Sequence, residues 1–327
     1  MLNIVFMGTP DFAKESLERI YEAGHNILAV VTNPDRPKGR GMKMICSEVK
    51  QFALQKNIPV YQPEKIRGNN EILGTIKKYN PDVLCVVAYG KILPKELLDI
   101  PKLGAINVHG SLLPKYRGAA PIQWSVINGD KKTGITTMYM DEGMDTGDII
   151  LTKETKIGED ETTGELWTRL AKMGGELLVQ TLEKIEKKTA PRKKQQGKFT
   201  LAPMLDKEMA KIDFENKTAK EIKDLVRGLD PIMGAYGILN GKKIKIWKVK
   251  IVDTNKFIET HEGFNEYRSR FEDVDPGTII YIDEKEGLYI KAKDAVLLVL
   301  EIQAENSKRM NIKDFLRGNH LQVGDTF

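Results

Sequence analysis

The segment Gly104-Ala-Ile-Asn-Val-His-Gly-Ser-Leu-Leu-Pro114 has the pattern of a short buried strand that runs into a turn. Alternate side chains of a strand share one face, so we expect Asn107 and His109 to point the same way. In an open α/β sheet, ligands bind beyond the carboxyl ends of the strands. An amide and an imidazole at such an end are therefore candidates for polarising one carbonyl group together.

A second polar segment, Met140-Asp-Glu-Gly-Met-Asp-Thr-Gly-Asp148, follows a predicted strand at 135–140. Its glycines favour a turn, which would bring Asp145 within reach of the imidazole. A carboxylate in that position fixes the tautomer of a histidine ring. A single histidine near a strand end is more often structural than catalytic. The combination with Asn107 and Asp145 is what makes His109 a catalytic candidate.

The same segment contains four acidic residues, which raises the question of a metal site. The EF-hand pattern requires a ligand where Gly143 stands, so the spacing does not fit calcium. We therefore predict no metal. The acidic residues are Asp141, Glu142, Asp145 and Asp148.

The first part of the chain alternates predicted strands and helices. Residues 3–7 form an apolar strand, Thr9 is predicted to cap the next helix, and 27–31 is the second strand. Together with the fully apolar run 83–88, this order predicts an α/β domain with a mostly parallel sheet. Only one glycine, Gly8, lies in the first turn. The G-x-G-x-x-G fingerprint is absent, so no nicotinamide cofactor is expected.

Residues 33–46 are predicted to form a long polar loop that carries four cations. A connection of this length inside an α/β domain is often functional, although a plain surface loop is an equal alternative. Ser47 is expected to cap the helix that follows the loop. The cations are Arg36, Lys38, Arg40 and Lys43.

The 327 residues of the chain indicate two domains. We place the first domain at 1–188, a basic linker at 189–204 and the second domain at 205–327. Cys46 and Cys85 show no pairing pattern, which predicts a reduced, cytoplasmic protein. No apolar run approaches the length of a membrane span, so no membrane attachment is expected. Nothing in the sequence requires more than a monomer.

The positive charge of the chain is concentrated between the two predicted domains. The net charge is +5, and residues 184–198 alone carry seven basic side chains and one acidic side chain. A polyanionic partner would explain this cluster. A solvated linker that stays disordered because it is charged would explain it equally well.

Short predicted strands dominate the chain after Pro203. Asn240-Gly241 is predicted as a hairpin turn, and about five strands in total would fit a small OB-type β-barrel. Lysines alternate with apolar residues along 242–250, which gives that strand one apolar and one cationic face. Such a face suits nucleic acid, but lysines on a strand also discourage edge pairing.

Six segments of the chain resemble the folate-dependent formyltransferases, and among these the branch that formylates methionyl-tRNA. The segment 107–114 is shared across the family and so indicates the chemistry, whereas the basic loop and the run at 116–123 indicate the tRNA branch. The resemblance implies a Rossmann-like first domain and an OB-type second domain. The segments are 5–13, 33–41, 87–94, 107–114, 116–123 and 140–148.

The resemblance implies a specific reaction. A formyl group passes from 10-formyltetrahydrofolate to the α-amine of methionine on initiator tRNA, as a step of translation initiation. The amine adds to the formyl carbon, and negative charge develops on the formyl oxygen. Asn107 and His109 are expected to donate hydrogen bonds to that oxygen, while Asp145 orients His109 and relays the amine proton. Neither a metal nor a nicotinamide is implied.

Two binding regions follow from the resemblance and the charge pattern. The folate co-substrate is expected against segment 111–114 and beside the end of the preceding strand, at Ser111, Leu112, Leu113, Pro114, Tyr89 and Gly90. The tRNA is expected on the basic loop, where Arg40 would hold the acceptor end, on the basic linker and on a C-terminal strand. Its candidate residues are Arg36, Lys38, Arg40, Lys43, Lys193, Lys194 and Lys245.

Three other functions remain open from the sequence. The first is a formyltransferase that acts on a small amine, such as glycinamide ribonucleotide or an amino-sugar nucleotide. The second is a folate hydrolase, in which water replaces the amine. The third is a non-catalytic RNA-binding protein on an enzyme scaffold, against which the intact set of Asn107, His109 and Asp145 argues.

Overall fold

The computed structural model describes residues 1–38, 43–261 and 273–327, which form two compact units. Within these residues, no helix is both long and apolar enough to span a bilayer. Nothing in the sequence indicates that two short segments before residue 165 belong to the second unit. The first unit comprises Met1–Ile122, Lys132–Lys156 and Glu165–Met204, and the second comprises Gln123–Lys131, Ile157–Gly164 and Leu205–Phe327.

The first unit is built on one large sheet. Along the chain its strands are β1 Asn3–Gly8, β2 Asn26–Val31, β3 Arg36–Lys38, β4 Lys43–Ile45, β5 Val60–Tyr61, β6 Val83–Val87, β7 Ala105–His109, β8 Arg117–Gly118, β9 Lys132–Tyr139, β10 Ile149–Lys156 and β11 Leu201–Ala202. Seven of them form the main sheet in the order β10-β9-β7-β6-β1-β2-β5. The five strands from β7 to β5 are parallel, and β9 and β10 are antiparallel. The prediction of a mostly parallel sheet is confirmed.

Helices follow the strands as the sequence pattern predicts. They are α1 Asp11–Glu22, α2 Glu48–Gln55, α3 Asn70–Tyr79, α4 Lys95–Leu98, α5 Pro121–Ile127 and α6 Thr163–Glu186. Ser47 caps α2 by accepting the N–H of Lys50, as expected. The expected cap of α1 is wrong, because Pro10 occupies the cap position and the Thr9 hydroxyl accepts hydrogen bonds from Asn33.

The predicted loop at 33–46 contains a short hairpin. In β3 and β4, Arg36 pairs with Ile45 and Lys38 pairs with Lys43 in antiparallel register. Residues 39–42, which include Arg40, lie outside the described residues. The prediction of a loop over the whole of 33–46 is therefore wrong at 36–38 and 43–45.

The basic segment after α6 runs along the first unit. The backbone of Lys193 exchanges two hydrogen bonds with that of Ile149, and β11 pairs with β8 in parallel. Both contacts tie residues 193–202 to other elements of the first unit.

The second unit contains a six-stranded antiparallel sheet. Its strands are β12 Ala235–Leu239, β13 Lys242–Val252, β14 Ile279–Asp283, β15 Gly287–Lys291, β16 Val296–Ala304 and β17 Met310–Asn311, and its helices are α7 Ala219–Gly228, α8 Thr254–Thr260 and α9 Ile312–Gly318. The order is β12-β13-β16-β15-β14, with β17 beside β16. The predicted hairpin is confirmed, because Asn240 and Gly241 both have positive φ, at 51° and 73°. An OB-type closed barrel stays a prediction.

One irregularity in β13 explains its sequence pattern. The pairing with β16 shifts register on both sides of Lys248. Ile244 and Ile246 are buried before the shift, and Val249 is buried after it. The adjacent Trp247 and Lys248 mark this β-bulge, because they break the alternation of lysine and apolar residues.

Candidate functional site

Asn107 and His109 lie at the carboxyl end of β7, between β6 and β9. The intervening Val108 is buried on the opposite face, as the period of a strand requires. His109 is only 5% exposed and Asn107 is half-buried. The end of the strand therefore presents an amide and an imidazole in a largely enclosed position.

The carboxylate of Asp145 connects these two side chains. Its Oδ1 lies 3.4 Å from Nδ2 of Asn107, and its Oδ2 lies 3.6 Å from Nδ1 of His109. The N–H of Gly118 donates a shorter hydrogen bond, of 2.8 Å, to the same Oδ2. The structure thus brings together the three residues that the sequence analysis selected as a catalytic set.

The backbone of the Asp145 loop adopts an uncommon conformation. Asp145 has a φ of 55°, in the left-handed region that aspartate tolerates better than most residues. Nearby, Asp141 accepts hydrogen bonds from the Gly143 N–H and the Thr146 hydroxyl. Gly147 leaves no room for a side chain, since a Cβ there would stand 1.7 Å from the carbonyl oxygen of Tyr139.

The two nitrogens of His109 have different surroundings. Nε2 lies 2.8 Å from the carbonyl oxygen of Tyr116. A carbonyl only accepts hydrogen bonds, so Nε2 carries a proton and donates it. Nδ1 faces Asp145 at 3.6 Å, which exceeds a direct hydrogen bond. Nδ1 is therefore the nitrogen that can exchange a proton or donate to a bound group.

This arrangement has a definite chemical capacity. Asn107 supplies an amide donor, His109 supplies Nδ1 and Asp145 supplies a carboxylate acceptor. Two donors that converge with one acceptor at a strand end can polarise a carbonyl group and take up a proton. Within the described residues, no group of three or more His, Cys, Asp or Glu side chains is arranged to hold a metal ion.

The turn at 111–114 follows β7 directly. The Ser111 carbonyl accepts from the Thr136 hydroxyl at 2.7 Å, and the Leu113 N–H donates to the same hydroxyl oxygen at 3.2 Å. The Ser111 hydroxyl donates to the Lys115 carbonyl at 2.6 Å. The carbonyl of Leu112 accepts from the Lys115 N–H, and the Leu113–Pro114 peptide bond is cis. These hydrogen bonds fix the shape of the turn and occupy several of its polar groups.

The two residues predicted at the end of β6 lie in different surroundings. The Tyr89 side chain packs in the apolar core under the sheet, and burial raises its pKa to about 12. The Tyr89 carbonyl accepts from the amide nitrogen of Asn33 at 3.0 Å. Gly90 has a φ of 75°, which favours glycine. The Tyr89 ring thus faces the core, and only backbone is left to face a ligand.

The candidate cations are distributed over both units. Arg36, Lys193 and Lys194 are exposed in the first unit. The backbones of Lys38 and Lys43 pair in the hairpin, and Arg40 lies outside the described residues. In the second unit, the Lys245 ammonium donates to the Met233 carbonyl at 2.7 Å. Burial lowers the pKa of Lys245, which is half-buried beside Trp247.

Four residues that the sequence pattern did not indicate also support the site. Tyr116 and Gly118 bond His109 and Asp145, Thr136 holds the following turn, and Gln195 bonds the Asp145 loop. A sequence feature could have indicated Thr136, because it is a polar residue within a buried strand. In the structure it pairs with His109 on the neighbouring strand. No sequence feature indicates Gln195, because it stands among polar residues far along the chain.

Comparisons with known proteins identify the family of the chain. The family profile described as formyl transferase matches residues 2–182, and the one described as formyl transferase, C-terminal domain, matches residues 204–320. The methionyl-tRNA formyltransferase of Clostridioides difficile is 49% identical over 99% of both chains. That of Caldanaerobacter subterraneus is 46% identical over 99% of both chains.

Solved structures share the fold at lower identity. HypX from Aquifex aeolicus, solved with tetrahydrofolic acid, has a TM-score of 0.64 at 14% identity, over 100% of this chain and 51% of HypX. An N-formyltransferase from Helicobacter canadensis, solved with folinic acid and dTDP-3-aminofucose, has a TM-score of 0.62 at 20% identity, over 91% of this chain and 99% of that chain.

The two profiles span most of the chain, and full-length relatives share nearly half of its residues. The chain therefore belongs to the formyltransferase family and, within it, to the methionyl-tRNA formyltransferases.

Proposed function

We propose that this chain transfers the formyl group of 10-formyltetrahydrofolate to the α-amino group of methionine carried by initiator tRNA. The observation that carries the proposal is the convergence of Asn107 and His109 on the Asp145 carboxylate at the end of β7. Full-length relatives with this activity in their names support the choice of acceptor.

The donor set fits the electronic demand of formyl transfer. When the amine attacks, a C–N bond forms and the formyl oxygen gains negative charge. An amide hydrogen of Asn107 and a proton on Nδ1 of His109 can stabilise this charge. Nε2 already donates its proton to the Tyr116 carbonyl, so Nδ1 donates to the formyl oxygen when the ring is doubly protonated. One such donor typically lowers the barrier by about 3 kcal/mol.

Asp145 has a proposed role in taking up the proton of the attacking amine. The amine loses a proton as its bond to the formyl carbon forms, and the bond from that carbon to the folate nitrogen then breaks. We assign Asp145 to receive the amine proton, directly or through water, and His109 to return a proton to the leaving folate nitrogen. The Gly118 hydrogen bond holds the carboxylate in place for this role.

We place the folate co-substrate beside the turn that follows β7. The residues proposed are Ser111, Leu112, Leu113, Pro114, Tyr89 and Gly90. Several polar groups of the turn already form hydrogen bonds within the protein. The fixed shape of the turn therefore supports this assignment more strongly than its free hydrogen-bond donors do. Tyr89 would take part through its backbone, because its ring is buried in the core.

We place the tRNA on the cations of both units, since arginine and lysine that neutralise phosphates supply most of the affinity for nucleic acid. The exposed positions of Arg36, Lys193 and Lys194 support this assignment. Lys38 and Lys43 pair through their backbones in the basic hairpin, and Arg40 lies between them in the sequence. Lys245 is a weaker candidate, because its ammonium already bonds a backbone carbonyl.

We also propose the domain division and the setting of the enzyme. Residues 1–188 would carry the chemistry, 189–204 would connect the domains and 205–327 would bind tRNA. We further propose that the enzyme works as a monomer in the cytoplasm, where charged tRNA is available. Sedimentation analysis of the purified protein with and without tRNA tests the monomer, and a stable dimer would contradict it.

A comparison of acceptors tests the proposed function. The full-length protein is supplied with 10-formyltetrahydrofolate and with methionyl initiator tRNA, glycinamide ribonucleotide or an amino-sugar nucleotide. We expect methionyl-tRNA to exceed both small amines by at least about 100-fold in kcat/KM, a gap of about 2.7 kcal/mol in transition-state binding. A small amine that reacts faster than methionyl-tRNA would contradict the proposal, and folate turnover without any acceptor would indicate a hydrolase.

A further inference from the structure

Gln195 occupies an unusual place in the basic segment. It is half-buried, whereas its neighbours from Arg192 to Thr200 are exposed. Its amide nitrogen donates to the carbonyl oxygen of Asp145 at 2.7 Å and to that of Gly147 at 3.0 Å. One side chain thereby bonds two backbone carbonyls of the loop that carries the Asp145 carboxylate.

The orientation of the Gln195 amide is fixed from its other end. The oxygen Oε1 accepts from Nε of Arg117 at 3.1 Å and from Nη2 of Arg117 at 2.7 Å. An arginine only donates, so the oxygen of Gln195 must face it and the nitrogen must face the loop. The Arg117 guanidinium also lies 4.9 Å from the centre of the Phe199 ring.

These hydrogen bonds link Arg117, Gly118 and Gln195 into one connected group around Asp145. Arg117 is followed by Gly118, whose N–H donates to the Asp145 carboxylate at 2.8 Å. Gln195 holds the backbone carbonyl of the same residue. The left-handed backbone of Asp145, with a φ of 55°, is therefore held at its carbonyl and at its carboxylate by one connected group of residues. Strained conformations persist where surrounding contacts over-determine them.

We propose that Gln195 is a positioning residue for Asp145. It fixes the loop so that the carboxylate meets Asn107 and His109, and it does so from a segment that is distant in sequence. The inference rests on the proposed function for its effect on the rate. Its structural part, the restraint of Asp145 by Gln195, is independent of which acceptor is used.

The proposal predicts a loss of rate with little loss of substrate binding. Displacement of a reacting group by about 1 Å commonly costs about 100-fold in rate. Gln195→Met keeps the length of the side chain, adds no charge and removes all four hydrogen bonds. Gln196→Met is the matched control, because it makes the same change at the exposed neighbouring position.

The first measurement is single-turnover formyl transfer to methionyl-tRNA by both variants. We expect Gln195→Met to be about 10-fold to 100-fold slower than Gln196→Met, with KM values for tRNA that agree within about threefold. A rate within about twofold of the control would overturn the proposal. So would an effect confined to KM, because that would make Gln195 part of the tRNA contact surface.

The second measurement reports on the restraint without any substrate. The Gly118 amide is bonded to the Asp145 carboxylate, so its hydrogen exchange reports on the position of that group. We expect exchange at Gly118 to be at least about 10-fold faster in Gln195→Met than in Gln196→Met. Unchanged exchange would overturn the proposal even if the rate fell.

A variant that fails to fold and a wild-type protein without activity can both be told apart from a failure of this proposal. If Gln195→Met does not fold, Gln195→Asn replaces it, because it retains the amide but is shorter by one methylene. If the wild-type protein does not formylate methionyl-tRNA, the proposed function fails. The Gly118 exchange measurement then still decides whether Gln195 positions Asp145.

Discussion

Gly118 donates its backbone N–H to Oδ2 of Asp145 at 2.8 Å, and a side chain at position 118 would clash with its surroundings. Its φ is 125°, and a Cβ there would stand 2.7 Å from the carbonyl oxygen of Ala202. The site therefore depends on a close backbone approach between β8 and β11. Asp145 is thus held in place by Gly118 of β8, and the pairing of β8 with β11 is not visible in the sequence.

Gly118→Ala should damage stability and activity together. The added methyl group forces β8 away from β11 and strains the backbone, so we expect a loss of about 1–3 kcal/mol in the free energy of unfolding. We also expect at least about a 10-fold loss of single-turnover rate, because the Asp145 carboxylate loses its donor. Urea denaturation and formyl transfer assays measure the two effects.

Gly197→Ala is the control for backbone strain alone. Gly197 also has a positive φ, of 88°, but a Cβ there meets nothing within 4 Å. We expect a loss of about 1 kcal/mol and a nearly normal rate. Equal rate losses in the two variants would contradict the account of Gly118.

Asp145→Asn should remove the charge while it keeps the shape of the loop. Asparagine tolerates the left-handed backbone at this position, whereas alanine would add strain. We expect the single-turnover rate to fall by about 100-fold or more, because the amide cannot take up the amine proton. Thermal melting should change by only a few degrees. A rate near that of the wild type would remove Asp145 from the mechanism.

The basic segment should contribute to tRNA affinity and not to folate affinity. The double variant Lys193→Ala/Lys194→Ala should raise KM for tRNA and reduce the dependence of KM on salt concentration, because two phosphate contacts are lost. The KM for 10-formyltetrahydrofolate should stay unchanged. Lys77→Ala/Lys78→Ala removes the same charge from exposed positions on α3 and is the control. Equal effects in both variants would indicate that only the net charge of the protein, and not these two positions, affects KM for tRNA.

A charge at the start of α7 should make stability depend on pH. Glu221 hydrogen-bonds Lys217 and the Thr218 N–H in a capping box, and these contacts lower its pKa from 4.5 to about 2. A lowered pKa contributes stability above pH 4.5 that is lost as the pH falls towards 2. Glu221→Gln should therefore be less stable than the wild type at pH 7, by about 0.5 kcal/mol since the group is exposed.

Urea denaturation at several pH values checks this dependence. The difference between the wild type and Glu221→Gln should shrink between pH 4.5 and pH 2 and vanish at the lower end. A difference that stays constant over this range would contradict the assigned cause, because an uncharged hydrogen bond does not titrate.

Local patterns in the sequence predict the framework of the site correctly. The strand β7 and its alternation place Asn107 and His109 on one face, and the Asn240-Gly241 turn sets the hairpin of the second unit. These features depend on side chains a few residues apart. The order of strands and helices in the first unit follows from the same short-range periodicity.

Long-range contacts are what the sequence could not supply. Gln195 lies 50 positions from Asp145 along the chain, and Leu201 of β11 lies 84 positions from its partner Arg117 in β8. The hairpin of β3 and β4 was hidden because Pro37 and several glycines suggest an irregular loop. In each case the partner, and not the local sequence, determines the conformation.

Single-turnover formyl transfer from 10-formyltetrahydrofolate to methionyl initiator tRNA, by the wild type and by Asn107→Ala, tests the central claim most directly. We predict rapid transfer by the wild type and a rate about 100-fold to 1,000-fold lower in the variant, because one donor to the developing oxyanion is lost. Circular dichroism spectra that coincide would exclude unfolding. Wild-type rates in Asn107→Ala, or no transfer by the wild type, would contradict the account.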